Sequence, residues 1–136
     1  MGKEPAKVRR LYLMRIELPS GMLLHKIGVA SHHSAKERML TICGSIFDKF
    51  RETPKIKLVR DRKVDSEKVF KYETMLHKFF SNYQYTSKHR FDGITECFVL
   101  PSDSADAIQA YEAVLAGHVP ESAYVMPDRS EDELPF

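Results

Sequence analysis

The sequence has few of the residues that are typical of secreted, metal-stabilised or membrane-spanning proteins. Its 136 residues include no tryptophan and two cysteines, Cys43 and Cys97, which lie too far apart in the chain for a zinc knuckle or a disulfide framework. No apolar run approaches the roughly 20 residues that cross a bilayer, and Arg15 interrupts the apolar stretch near the N-terminus. We therefore predict a cytoplasmic protein with no membrane partner, about one domain in size, whose cysteines are buried as small apolar residues.

The small net charge of +2 conceals two regions of opposite sign. Residues 1–100 hold 20 Lys and Arg against 11 Asp and Glu, a net of +9, whereas residues 101–136 hold one Arg against eight acidic residues, a net of −7. This pattern is typical of a polyanion-binding body with an acidic tail, although ordinary solvated charge explains it equally well. We predict a flexible basic N-terminus at 1–9, one folded domain at 10–117 and an acidic, proline-containing tail at 118–136.

Turn residues and hydrophobic periodicity divide the predicted domain into short strands and helices. The Pro19-Ser20-Gly21 turn joins two strands into a hairpin, and a capping box of Ser34 and Glu37 begins the first helix. This helix either breaks or kinks at Gly44 or continues to about residue 50. The order ββαβα(β)α indicates an α+β fold in which helices flank a small, mostly antiparallel three-stranded sheet, made of the hairpin and the third strand. The predicted strands are 10–16, 23–30, 55–62 and the short 95–100, and the predicted helices are 35–43 with an extension toward 50, 66–82 and 103–116.

Polar side chains fall on or beside the apolar stripes of two predicted helices. At about 100° per residue, Glu73 and His77 lie within the apolar arc of the second helix. A carboxylate on a core-facing stripe is costly unless a cation meets it, and either a metal ion or a structural arginine would serve. On the first helix, Arg38 lies at the edge of the stripe near Ile42, so it either reaches Glu73 or points into a cleft toward a phosphate.

Five short motifs follow one another along these predicted elements. They are Leu11-Tyr12-Leu13, Lys26-Ile27-Gly28-Val29, Arg38, Glu73-Thr74-Met75-Leu76-His77 and Glu96-Cys97-Phe98, and together they span about residues 10–100. In this order they resemble the motifs of the GIY-YIG nuclease superfamily, and in particular its small phage- and virus-type branch, in which the second motif reads KIG. The chain departs from the family pattern in both tyrosine motifs, since Arg10 and Leu11 replace Gly and Ile and Lys26 replaces the second tyrosine. The chain also has no clear match for the late asparagine that some members carry.

The resemblance implies a GIY-YIG-like nuclease domain at 10–117 that hydrolyses phosphodiester bonds in DNA with one Mg²⁺ or Mn²⁺ ion held by Glu73. It assigns Arg38 to the scissile phosphate and Tyr12 to activation of the attacking water. A tyrosine needs nearby positive charge to act as a base, so Lys26 either supplies that charge or is itself the base after its pKa falls on burial. His77 is a further catalytic candidate, which either has a supporting role at the metal site or caps the core.

The remaining candidates have open alternatives. His25 alternates with Lys26 on a strand, so it should face away from a site that Tyr12 and Lys26 share. Glu96 either braces Arg38 or His77 or lies on a solvated strand end. Gly28 either allows the close approach of another group or forms a turn or bulge.

Basic residues of the third strand and of the loop that follows the second helix are the predicted DNA contacts. Such residues bind phosphates without reading sequence, and we expect double-stranded DNA as the partner. The altered first motif supports an alternative, a catalytically inactive GIY-YIG-like module that binds nucleic acid or another partner. The predicted DNA contacts are Lys55, Lys57, Arg60, Arg62, Lys63, Lys88 and Arg90.

Overall fold

A computed structural model describes residues 8–30, 35–85, 96–100 and 104–118 and has the predicted α+β architecture. The predicted cap at Ser34 and most of the predicted N-terminal segment and acidic tail lie outside these residues. The strands are β1 (Val8–Glu17), β2 (Leu23–Ala30), β3 (Lys55–Asp65) and β4 (Cys97–Phe98). The helices are α1 (Ala35–Phe50), α2 (Ser66–Phe79) and α3 (Ala105–Leu115), with a 3₁₀ turn at Ser81–Tyr83.

The sheet has four strands in the order β3-β1-β2-β4, whereas the sequence predicted three. The pairings of β1 with β2, β1 with β3 and β2 with β4 are all antiparallel. The central strand β1 sets Tyr12 opposite Gly28 on one side and opposite Asp61 on the other. The two residues of β4 pair with His25 and Lys26, and a strand this short has too little periodicity to be assigned to a sheet from sequence.

Helices cover both faces of the sheet, because successive side chains of a strand point to opposite sides. One face packs against α1 through Tyr12 and Ile42, while the other packs against α2 and α3 through Leu11 and Leu76. The Tyr111 hydroxyl of α3 donates to the Leu11 carbonyl at 2.7 Å, which ties α3 to the central strand. None of the helices in the described ranges combines the length and apolar character needed to span a bilayer.

The first helix runs through Gly44 to Phe50 without a break, so the longer of its two predicted bounds is confirmed. A glycine inside a helix costs about 1 kcal/mol relative to alanine. Ile42 and Ile46 are both fully buried, and two such side chains contribute about 3 kcal/mol or more between them, which exceeds the cost of the glycine. The second helix ends at Phe79, three residues before the predicted end, because the chain tightens there into the 3₁₀ turn.

Candidate active site

A buried lysine joins residues from three of the five motifs. The Lys26 ammonium donates to the Tyr12 hydroxyl oxygen at 2.7 Å and to a carboxylate oxygen of Glu96. It also lies 5.0 Å from the centre of the Tyr12 ring, within the range of a cation–π contact. The hairpin register brings the two side chains to one face, since Lys26 is two residues from Gly28, the direct partner of Tyr12. Tyr12 and Lys26 are fully buried, and the Glu96 side chain is 31 % exposed.

Gly28 leaves the space that the Tyr12 and Glu96 side chains occupy. A Cβ atom at this position would lie 2.4 Å from the Tyr12 hydroxyl oxygen and 2.8 Å from a Glu96 carboxylate oxygen. Both separations are far below van der Waals contact, so any other residue here would displace the cluster. Of the two roles considered for this glycine, the structure therefore supports the close approach of other groups.

The pKa of Lys26 is raised above its ordinary value. Burial alone would lower the pKa of Lys26, but electrostatic attraction to Tyr12 and Glu96 and the hydrogen bonds to both more than offset that effect. The alternative in which Lys26 becomes the base requires a lowered pKa, so it is wrong. Lys26 is a permanent cation at neutral pH, and it holds its positive charge against the Tyr12 oxygen.

Glu73 and His77 contact the edge of β2 that faces β4, at residues that follow the two paired with β4. The His77 Nε2–H donates to the Ile27 carbonyl at 2.7 Å, because a carbonyl oxygen can only accept. The Glu73 carboxylate accepts the Val29 backbone N–H. Backbone groups of Ile27 and Val29 point to the same edge because the direction alternates along an antiparallel strand. The two helix residues, one turn apart, thus satisfy polar groups of this edge and bring α2 to the site.

The pKa of Glu73 is raised, chiefly by burial and further by the neighbouring Glu96 carboxylate. His77, Lys26 and the Val29 N–H act in the opposite direction but do not cancel the rise. A hard divalent cation bound to Glu73 would offset the burial and the repulsion that disfavour its charge. Glu73 fits such an ion as a single protein ligand, since Mg²⁺ keeps several waters and needs one or two carboxylates. Across the described ranges, no group of three or more acidic, His or Cys side chains is arranged around a metal position.

Arg38 and His25 lie on opposite sides of the sheet. Arg38 is half-buried on α1, one turn from the buried Ala35 and Ile42, and therefore on the face that carries Tyr12. His25 points to the other face, where its Nε2 lies 2.9 Å from the Ser104 hydroxyl oxygen, as strand alternation requires.

The predicted DNA contacts on β3 do not form one uniform basic surface. Glu112 of α3 accepts from the Arg60 Nε at 3.0 Å and lies 2.9 Å from an Arg62 nitrogen, which partly neutralises both arginines. Register places Arg62 opposite Leu11 on the α3 face and Lys63 opposite Arg10 on the α1 face. Two further predicted DNA contacts on β3, Lys55 and Lys57, are exposed, and the Lys55 ammonium lies 3.7 Å from the Glu17 carboxylate. The predicted contacts Lys88 and Arg90 lie outside the described residues.

An ion pair that was not predicted from the sequence lies beside Tyr12. Asp61 of β3 is the direct cross-strand partner of Tyr12, and it accepts a hydrogen bond of 3.0 Å from Arg10. Its second oxygen, Oδ1, is buried and has no hydrogen-bond partner among the described residues. The signal in the sequence is an acidic residue within a basic strand, but only the register of β3 shows that it faces Tyr12.

Comparison of the chain with protein-family models, with curated proteins and with solved structures found no match. The site must therefore be interpreted from its own chemistry and from the motifs that the sequence carries.

Proposed function

We propose that this protein is a divalent-metal-dependent DNA endonuclease of the GIY-YIG type. One observation carries the proposal: Lys26, Tyr12 and Glu96 form a hydrogen-bonded cluster, with Glu73 close enough to interact with both Lys26 and Glu96. These residues come from four of the five motifs on which the resemblance rests. Arg38 of the remaining motif is on the same face of the sheet.

The proposed chemistry divides among these side chains. Tyr12 releases its hydroxyl proton to solvent and, as the phenolate, takes a proton from the attacking water, while the Lys26 ammonium stabilises the negative charge on the Tyr12 oxygen. Arg38 stabilises the charge that develops on the phosphate during attack. Glu96 holds Lys26 in place and, with it, sets the position of the Tyr12 hydroxyl. His77 positions the helix that carries Glu73 by its hydrogen bond to β2.

Glu73 is the residue that would hold Mg²⁺ or Mn²⁺, with waters and phosphate oxygens as the other ligands. Such an ion, when bound, neutralises charge on the phosphate and the leaving oxygen. The Val29 N–H occupies one lone pair of the Glu73 carboxylate, whose two oxygens offer about four, so lone pairs remain for the ion.

A second candidate function is a nucleic-acid-binding module that does not cut. Complete burial of Tyr12 and Lys26 favours it, since a general base must come within hydrogen-bond reach of the water that it activates. In this alternative the cluster is a structural ion pair, and exposed basic residues such as Lys57 and Lys63 bind phosphates.

Incubation with supercoiled plasmid tests the proposal and separates the two candidates. We expect nicked and linear products with Mg²⁺ or Mn²⁺ and none with a chelator. Glu73→Gln should abolish cutting, whereas the matched control Glu67→Gln, which changes an exposed carboxylate on the same helix, should cut normally. DNA binding that weakens steeply with salt but yields no cuts would favour the second candidate, and neither binding nor cutting would refute both.

A further inference from the structure

Two large apolar side chains of α1 are turned away from the sheet. Leu40 is 74 % exposed, and Phe47, two turns later along the helix, is 45 % exposed. At about 100° per residue they fall on the side of the helix opposite Ile42 and Ile46, which are fully buried against the sheet. The half-buried Cys43 lies at the edge of the same outward side. The helix thus carries apolar side chains on two sides, and one of these sides faces outward.

An outer stripe of α1 runs through these two side chains and has charged residues of opposite sign at its two ends. Successive members of the stripe are separated by three or four residues in turn, the spacing at which the side chains of two helices meet along a seam. At its centre is Gly44, where a Cβ would meet nothing within 4 Å, so a second backbone can approach closely. Glu37 lies seven residues before this glycine, and Arg51 lies seven residues after it. The outer stripe consists of Glu37, Leu40, Gly44, Phe47 and Arg51, all of which are exposed.

We propose that the outer stripe binds the outer stripe of a second copy of this chain, with the two α1 helices antiparallel and the two-fold axis at Gly44. Each copy then contributes the same surface, as a two-fold interface requires. Because Leu40 is four residues before the axis and Phe47 three residues after it, Leu40 of one copy and Phe47 of the other differ by one residue, about 1.5 Å, in position along the helices. The two apolar side chains therefore pack on each other twice, once on each side of Gly44.

The charges at the ends of the stripe select this orientation. In the antiparallel pair, Glu37 of each copy is level with Arg51 of the other, and the adjacent Lys36 is level with Glu52. Both contacts join opposite charges, whereas a parallel pair would set Glu37 beside Glu37 and Arg51 beside Arg51. Such juxtaposed charges contribute more to the choice of arrangement than to affinity.

The proposed dimer is weak and does not depend on the proposed nuclease function. A contact between one helix and its copy is smaller than the roughly 800 Å² per partner of a standard interface, so we expect a dissociation constant of about 10–100 µM. The outer stripe shares no residue with the five motifs, and Arg38 lies on the opposite side of α1 from Leu40. Loss of the dimer should therefore leave the candidate active site intact, and loss of cutting should leave the dimer intact.

Sedimentation equilibrium of the full chain from about 5 to 500 µM tests the proposal, and we expect a reversible monomer–dimer equilibrium. Leu40→Glu should weaken the dimer at least about tenfold, because it places a charge in the apolar contact. The matched control Met22→Glu puts the same charge on an apolar residue that is 43 % exposed in the turn between β1 and β2, and it should change the dissociation constant by less than about twofold. A monomer at every concentration overturns the proposal, and so does equal weakening by the two substitutions.

Charge reversal tests the antiparallel arrangement. Glu37→Arg and Arg51→Glu should each weaken the dimer about tenfold, because each replaces two attractive contacts with two repulsive ones. The double variant should restore the dissociation constant to within about threefold of the native value, since it exchanges the partners of both pairs. A double variant that is as weak as the single variants overturns the arrangement.

The native Cys43 reports the same geometry without any substitution. In the antiparallel pair the two Cys43 residues lie on one side of the seam and differ by two residues, about 3 Å, in position along the helices. A short bismaleimide should therefore cross-link the native protein into a covalent dimer at 100 µM, a concentration at or above the expected dissociation constant of about 10–100 µM. Cys43→Ser and Leu40→Glu should each abolish the cross-link. A cross-linked dimer that survives Leu40→Glu overturns the proposal, because it indicates random collision.

Discussion

Gly28 provides the sharpest test of the Tyr12–Lys26–Glu96 cluster, because an added methyl group would collide with two of its members. In Gly28→Ala, the new Cβ would meet the Tyr12 hydroxyl oxygen at 2.4 Å. That oxygen would have to move by about 1 Å to reach the 3.4 Å at which ordinary contact begins. Tyr12 is fully buried and lacks free space into which its ring can turn.

The cost of this displacement can be worked from the contacts. Forcing a side chain out of a packed core costs about 1–3 kcal/mol. Stretching the 2.7 Å bond from Lys26 to Tyr12 beyond hydrogen-bond range removes a bond to a charged donor, which contributes about 1.5–3 kcal/mol. We therefore expect Gly28→Ala to lower the free energy of unfolding by about 2.5–6 kcal/mol.

The same substitution at Gly44 is a matched control with the opposite sign. A Cβ at Gly44 meets nothing within 4 Å, and the residue lies in the middle of α1. Gly44→Ala should therefore stabilise the protein by about 0.5–1 kcal/mol. Urea unfolding of the three proteins at neutral pH measures both effects. If Gly28→Ala costs less than about 1 kcal/mol, the close contact and the inferred cluster geometry are incorrect.

Three further substitutions and modifications probe the charges around the cluster. Glu96→Gln should lower the free energy of unfolding by about 2–4 kcal/mol, because the buried Lys26 ammonium loses its carboxylate partner. An unchanged midpoint of urea unfolding at pH 7 would contradict the pairing of Lys26 with Glu96. Burial, reinforced by Glu96 and opposed by Lys26, raises the pKa of Cys97 to about 12. Iodoacetamide should therefore label the half-buried Cys43 and spare Cys97 in the native protein. Mass spectrometry of the digested product measures which cysteine is labelled. Because the pKa of Glu73 is raised above 4.5 by burial, its stabilising contribution is present below pH 4.5 and is lost as the pH rises through the folded value. Glu73→Gln keeps an acceptor for the Val29 N–H but removes the charge, so the variant should be more stable than the native protein at pH 7. The difference in free energy of unfolding should shrink toward about pH 4. Lower stability of the variant at pH 7 would argue against this interpretation.

Short-range patterns in the sequence predicted the fold class and most of the element order. The Pro19-Ser20-Gly21 turn produced the expected hairpin. Asp65, directly before α2, caps this helix by accepting the Glu67 N–H at 3.0 Å. These features depend on residues within a few positions of one another, so local stereochemistry is enough to predict them. The alternation of strand residues likewise predicted that His25 and Lys26 point to opposite faces.

Where such patterns failed, the deciding contacts lay farther along the chain. The sequence left open whether the first helix breaks at Gly44 or continues to about residue 50, and the burial of Ile42 and Ile46 against the sheet outweighs the poor helix propensity of the glycine. The basic residues of β3 were expected to be free for DNA, but Arg60 and Arg62 pair with Glu112, which is contributed by α3. No pattern within β3 or α3 alone indicates that these elements are adjacent.

The sequence by itself determined which residue types were available for the site, namely Tyr12, Lys26, Glu73 and their neighbours on short strands and one helix. Only the tertiary structure decided the charge on Lys26. Its pKa direction is a balance between burial and attraction to partners, and Glu96 lies 70 residues away in the chain. Because electrostatic energies depend on distance and surroundings rather than on sequence separation, that balance could be evaluated only after the sheet had brought the groups together.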